Sequence, residues 1–307
     1  MDIFLQQIVN GLVQGSIYAL VALGYTMDYG IMGLINFAHG EVVMIGTLVT
    51  ITVAGSLIKA GMPVALAGLA GLSASVLVCM ALGWGLERIA YRPLRNAPRL
   101  TPLITAIGMS IVLQNLAMMI WGRNYLTFPA LLPKINFEVA GAHFTFIQVV
   151  IVLVSAITMG GLLALIYRTK LGMAMRATAQ NPAVASLMGV NINRVIAAAF
   201  VIGSALGALA GVMVGTYYEI AHYQMGFMLG LKAFTAAVLG GIGNLAGAML
   251  GGLLLGLIEA LGAGYIGDLT GGFLGSHYQD IFAFIVLIVV LMFKPSGLFG
   301  EKTGDRA

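Results

Sequence analysis

Charge is the first thing this chain is short of. Asp, Glu, Lys and Arg make up 8% of its 307 residues, against 60% apolar types, where a soluble domain carries about 25% charged residues. With a mean hydropathy of +1.00, that scarcity excludes a soluble globule and implies an all-α, polytopic membrane helical bundle. Cysteine is nearly absent too. Cys79 stands alone, which excludes an internal disulfide and any cysteine-based metal cluster; in its apolar run it reads as a small packing residue. The four histidines, His39, His143, His222 and His277, never form a ligand-like pair. G-x-x-x-x-G-K-[ST], G-x-S-x-G and H-E-x-x-H are all missing, so neither a P-loop nor a hydrolytic or metalloprotease centre is present. No catalytic residue, metal or cofactor is expected, and the chain reads as a non-enzyme. Met1-Asp2-Ile3-Phe4 has no basic n-region and no small-residue cleavage site follows, so the first apolar run is expected to be a permanent span. The isoelectric point near 9.2 reflects basic loops and implies no nucleic-acid partner.

Those few charges punctuate the chain, and the gaps between them measure spans, since about 20 residues cross a ~30 Å hydrocarbon core. The spacing predicts helices near 5–26, 42–58, 64–86, 100–121, 147–167, 195–217, one running through Glu259, and a last one near 278–293. Arg88, Arg92, Arg95 and Arg99 share one short loop, which puts that loop in the cytoplasm. Loop 122–145 has few positive charges and falls outside; its Phe137, Val139, Phe144 and Phe146 alternation predicts a hairpin. The segment holding Glu219, His222 and Lys232 is read as a second outer loop. Asp268, His277 and Asp280 mark a further break. Eight spans would leave both termini outside; ten would put both inside, the arrangement the basic tail (Lys294, Lys302, Arg306) favours.

Two glycine-rich stretches interrupt this pattern. Gly30 to Gly46 carries Asn36, His39 and Glu41 in its middle. Polar groups at membrane depth are costly, about 2.5–3.5 kcal/mol per charge on insertion scales, so they mark an interrupted or re-entrant helix whose irregular backbone is covered by protein or lines a cavity. Gly240 to Gly251 repeats the pattern 208 residues later, with Asn244-Leu245-Ala246 in the place of Asn36-Phe37-Ala38. Matched breaks in two halves form a pseudo-repeat and point to a transport pathway, with Asn36, His39, Glu41 and Asn244 as candidate pathway residues. Asp28, Glu41, Glu259 and Asp280 could instead carry protons or sodium, as in an ion-coupled secondary transporter of small amino acids or amides, or could cap helix ends.

The segment Arg168 to Arg194 is basic, with no acidic residue. Inside it Asn181 suits an N-cap, Pro182 the first helical position, and Gly189 the C-terminal stop. A helix of about two turns over 181–189 is expected outside the bilayer, either docking on a partner or lying as an amphipathic turn on the membrane lipid. Further on, Gly203, Gly207 and Gly211 form overlapping G-x-x-x-G pairs, which predicts a helix packed inside the bundle.

Four motifs carry a family resemblance: I-N-F-A-H-G-E at 35–41, E-R-I-A-Y-R-P-L-R at 87–95, A-S-L-M-G-V-N at 185–191 and K-A-F-T-A-A-V-L-G-G-I-G at 232–243. In this order they resemble the bacterial ABC-transporter permeases for branched-chain amino acids, and more narrowly the first of the two permease subunits of the high-affinity leucine/isoleucine/valine system. Relatives carrying urea or short amides share the N-x-A-H-G-E pattern. The resemblance covers essentially the whole chain, 1–307, as one permease domain. It implies an importer of the inner membrane with a second homologous permease, two cytoplasmic ATPase subunits and a periplasmic amino-acid-binding protein. It also implies that the 181–189 helix is a coupling helix, with Asn181, Pro182, Ala185 and Gly189 serving ATPase docking. The family's E-A-A-x-x-x-G pattern is met only in part, because Ala183 stands where the Glu would be.

Overall fold

The computed structural model describes residues 2–95, 97, 98, 100–139, 141–269 and 279–300. Arg99 and His277 lie outside these residues, as do the break expected before Asp280 and the basic tail beyond Gly300. Helices dominate: α1 (Asp2–Met32), α2 (His39–Lys59), α3 (Val64–Leu86), α4 (Leu100–Trp121), α5 (Phe146–Arg168), α6 (Lys170–Gln180), α7 (Pro182–Leu187), α8 (Ile192–Tyr218), α9 (Met225–Gly240), α10 (Leu245–Leu269) and α11 (Gln279–Phe293). Seven of them, α1 to α5, α8 and α10, are long and apolar enough to cross a membrane, and α9 and α11 hold shorter apolar runs. The chain is a multi-pass helical membrane protein.

Centrality follows from side-chain size and polarity. Residues 15 to 28 of α1 are buried on every side, as expected of a helix that is apolar all round. α10 lies antiparallel against it: Gly256 meets the backbone of Gly15 and Gly11, Gly252 meets Ala19, and Gly264 meets Gln7. α8 and α2 pack on another flank. By contrast α3, α4 and α5 turn Leu69, Leu77, Ile104, Met119 and Ile157 outward, the apolar rim that lipid or a membrane partner would cover.

Two short pairings close one end of the bundle. β2 (Asn136–Val139) and β3 (Ala142–Thr145) form the expected hairpin, with Phe137 opposite Phe144 and their rings stacked at 5.6 Å. β1 (Leu126–Thr127) pairs with β4 (Ile220–Ala221), tying the α4–α5 loop to the α8–α9 connection. Thr145 and Gln148 form a reciprocal capping box that starts α5.

Several expectations need correction. Lys232 is not in an outer loop: residues 225–240 form α9, and Lys232 sits within it, paired with Glu259 of α10 at 3.2 Å. A charge ended the span on paper because its neutralising partner lies 27 residues away. With α9 present, neither arrangement of termini holds. α1 begins beside Gly264, near the far end of α10, whereas residues 297–300 lie against Gly240, Gly241 and Gly247, at the start of α10. Residue 2 and residue 300 are therefore at opposite ends of the bundle. The basic stretch after Glu87 is not a free loop either. A π-helical turn (Glu87–Tyr91) and a 3-10 turn (Arg92–Leu94) prolong α3, and the wholly buried Glu87 accepts Arg92 at 2.8 Å and also Arg95. Arg95 in turn donates to Asn193 of α8 at 2.5 Å. Of the four arginines expected to set the orientation, Arg92 and Arg95 thus pair with Glu87, and Arg95 also fastens this extension of α3 to the start of α8. Finally, Lys170–Gln180 is a helix, α6, started by Thr169, whose hydroxyl accepts the Gly172 N–H at 3.1 Å.

Candidate translocation site

The first break is short. α1 runs on to Met32 and ends at Gly33, whose φ of +66° lets its N–H reach back to the Tyr29 carbonyl at 2.7 Å. Only residues 33–38 are irregular. His39 and Glu41, expected within the break, lie instead in the first turn of α2, where the partial positive charge of a helix start favours a carboxylate.

Asn36 anchors the irregular backbone. Its amide donates to Asp28 Oδ2 at 2.8 Å and its carbonyl oxygen accepts the Tyr91 hydroxyl at 2.7 Å. This chain of three buried groups links α1, the break and the end of α3. Tyr91 is backed by Phe200 of α8, ring centroids 5.2 Å apart, and Phe37 by Phe234 of α9 at 5.6 Å. The irregular segment is thus covered by protein, the condition under which non-helical backbone is tolerated at membrane depth.

His39 fills a slot between helices. Tyr25 meets it edge-on at 5.0 Å, and Gly24 of α1 and Gly207 of α8 leave room for the ring. Glu41 ties α2 to α4, its Oε1 accepting Ser110 Oγ at 3.0 Å and Gln114 Nε2 at 2.7 Å. On the other side the α2 backbone at Gly40 meets Gly226 and Gly230 of α9. Asp28 Oδ1, His39 Nε2 and Glu41 Oε2 are buried with no protein partner among the described residues. The junction therefore gathers α1, α2, α3, α4, α8 and α9 around three candidates, Asn36, His39 and Glu41, each at most 2% exposed.

Asn244 does not join them. It caps α10, accepting the Gly247 N–H at 3.0 Å, and donates to the Phe299 carbonyl at 3.0 Å. Gly241 and Gly243, both at positive φ, make the turn that separates α9 from α10, and Leu298 and Phe299 bond back to Leu239 and Gly240 at 2.9 Å. The second break meets α1 just before the first: Gly30 of α1 faces the Gly243 carbonyl, beside a cavity of about 90 Å³ that Arg176 of α6 also lines.

At the end of the bundle that carries the basic residues, the short helix is built as expected. Asn181 Oδ1 accepts the Val184 N–H at 3.1 Å, Pro182 opens α7, and Gly189 at φ +86° closes it. Ala185 is buried, seating the helix on the bundle, while Leu187 and Met188 are 87% and 81% exposed. Gly203, Gly207 and Gly211 lie buried in α8 against α1 and α2. Sequence reasoning missed the partners that make these groups a junction, Tyr91, Ser110 and Gln114, because they come from helices far along the chain. It also missed the exposed Leu187-Met188 tip, whose signal was two large apolar residues just before a helix-ending glycine.

The family described as "Branched-chain amino acid transport system / permease component" matches residues 7–291. The chain is 48% identical to the high-affinity branched-chain amino acid transport system permease protein BraD of Pseudomonas aeruginosa, over 99% of this chain and 98% of that one. It is 46% identical to the corresponding LivH protein of Escherichia coli, over 99% and 97%. A more distant likeness, 31% identity over 72% of this chain and 64% of the other, links it to the autoinducer 2 import system permease protein LsrC of Enterobacter. A closed polar junction in a many-spanned bundle, without the motifs of a reaction centre, together with matches along the whole length, places the chain in one family: it belongs to the permease components of branched-chain amino acid transport systems.

Proposed function

We propose that the chain is the membrane-spanning permease subunit of an ATP-driven importer of branched-chain amino acids in a bacterial inner membrane. The names of its full-length relatives support the substrate class. The observation that carries the ATP-driven part is α7: a capped six-residue helix seated by Ala185, presenting Leu187 and Met188 among Arg168, Lys170, Arg176 and Arg194. Two exposed apolar tips on a rigid knob, at the end marked cytoplasmic by its basic residues, suit insertion into a groove of an ATPase subunit. The full assembly then comprises a second similar permease, two such ATPases and a periplasmic binding protein that delivers the amino acid.

Force has a physical route inward. α7 packs on α6 and α8, and α8 packs on α1, α2 and α3. Displacing α7 therefore loads the helices that meet at Asn36, His39 and Glu41. Rearranging that junction is the step we assign to opening the pathway, and the buried groups of Asp28, His39 and Glu41 are the ones that gain water when it opens.

A second reading, an ion-coupled carrier, draws on Asp28, Glu41 and Glu259 buried at membrane depth. One experiment separates the two. The chain is reconstituted alone with an ion gradient and, in parallel, as a complex with its ATPases and binding protein. Leucine uptake only in the complex, lost at least tenfold in Leu187→Asp and Gly189→Val while insertion persists, is the expected result. Uphill uptake by the chain alone, or normal uptake by Leu187→Asp, defeats the proposal.

A further inference from the structure

At the end of the bundle opposite the basic loop, a cavity of about 260 Å³ opens between α1, α8 and α9, with the β1–β4 pairing at its lip. Its walls are apolar, including Val214, Met228 and Leu229, with Tyr18 and Tyr218 adding hydroxyls. Lys232 also lines it, one turn along α9 beyond Met228. The Lys232 ammonium lies 3.2 Å from Glu259 Oε2 and 3.3 Å from the Tyr18 hydroxyl, and that hydroxyl donates to Glu259 at 2.7 Å. Glu259 is wholly buried behind the pair, and the Lys232 side chain is 14% exposed. The carboxylate thus holds a positive charge at the wall of a largely apolar cavity, which His222 also lines, and among the described residues no Asp or Glu lines it.

We propose that this cavity is an outward-facing subsite for the transported amino acid, with the substrate carboxylate on the Lys232 ammonium and its branched alkyl chain against Val214, Met228 and Leu229. The inference rests on the transport reading above and adds to it a location for the substrate. Three features select the ligand class. An ammonium at the wall, held from behind by Glu259 and with no Asp or Glu among the described lining residues, orients a zwitterion carboxylate-first through a charge-assisted hydrogen bond. Apolar walls select an aliphatic side chain over a polar one. The volume falls below the roughly 300–1,000 Å³ of pockets for drug-sized ligands, which suits a single amino acid. Glu259 is a positioning residue here: it holds the ammonium in place.

The test uses the complete transporter in proteoliposomes with its binding protein, measuring leucine and valine uptake side by side. A wild-type complex that moves neither defeats the transport reading itself. Given wild-type uptake, Met228→Trp should narrow the cavity and lower leucine uptake at least tenfold, more than valine uptake. Met228→Ala should move the leucine-to-valine ratio the other way, since one methylene in such a pocket changes selectivity by about 10–200-fold. The pair Lys232→Met with Glu259→Met, which removes both members of the ion pair together, should assemble and still lose uptake of both. The proposal is overturned if both Met228 variants keep the wild-type ratio, as they would if a lipid chain fills the cavity, or if the double variant transports normally.

Discussion

Gly24 of α1 and His39 of α2 compete for one small volume: a methyl group on Gly24 would overlap Nε2 and Cε1 of the imidazole. The ring cannot move aside easily, since the edge of Tyr25 is 5.0 Å away and Gly207 of α8 bounds it on another side. Helix spacing at the centre of the bundle is therefore set by a glycine on one helix and an aromatic ring on the next. Gly24→Ala is expected to destabilise the protein by about 1–3 kcal/mol, the usual cost of overfilling a packed core. Combined with His39→Ala, the loss should be well below the sum of the two single losses, because the methyl then enters space the ring has left. A double-mutant cycle on thermal unfolding in detergent measures this coupling. Strict additivity would mean that the ring is not what excludes the methyl.

Lys232 and Glu259 give a second coupling, between α9 and α10. Removing one member deprives the other of its buried ion-pair partner, a change worth about 3–5 kcal/mol. Lys232→Met alone is expected to lower yield and melting temperature sharply, and Glu259→Met alone to do the same. The pair together should recover most of the stability, because apolar replacement of a buried ion pair is often neutral or better. Equal damage in the single and double variants would show that packing around the Lys232 stem, and not the pair, is what the fold needs.

The same pair explains why part of the architecture escaped the sequence. Asn181, Pro182 and Gly189 were legible because a cap, a first-turn proline and a positive-φ stop act within a few residues. The β2–β3 hairpin was legible for the same reason. α9 was not, since Lys232 looks like a loop marker until Glu259 is known to lie beside it. Likewise Glu87 concealed the helical turns after α3, because its buried bonds to Arg92 and Arg95 join groups that on paper read as a solvated basic loop. At the candidate site, the residue types Asn36, His39 and Glu41 stood out as polar groups in an apolar stretch, but their partners Tyr91, Ser110 and Gln114 are 55 to 73 residues distant. The matched break around Asn244 was visible as a pattern. Its side chain nevertheless serves the start of α10 and Phe299, because the C-terminal segment folds back over it.

The glycines of α8 look equivalent as a G-x-x-x-G series, yet their surroundings differ, and so should their substitutions. A Cβ at Gly203 would meet its nearest neighbour, the Gly24 backbone, at 3.5 Å, and one at Gly207 would meet His39 Cε1 at 3.4 Å; both are ordinary contacts. A Cβ at Gly211 would drive into the Val43 carbonyl and the Thr47 backbone and hydroxyl, where Thr47 Oγ1 also donates to the Gly211 carbonyl at 2.8 Å. Alanine inside a helix is favoured over glycine by about 0.5–1 kcal/mol through backbone entropy. Gly203→Ala should therefore be neutral or slightly stabilising, and Gly207→Ala close to neutral. Gly211→Ala should lose more than the helix preference returns, forcing α2 and α8 apart and lowering the unfolding temperature. Thermal unfolding of the three variants in detergent decides the matter. Equal losses at all three positions would mean that α8 needs glycine for flexibility along its whole length, and that close approach to α2 is not the governing constraint.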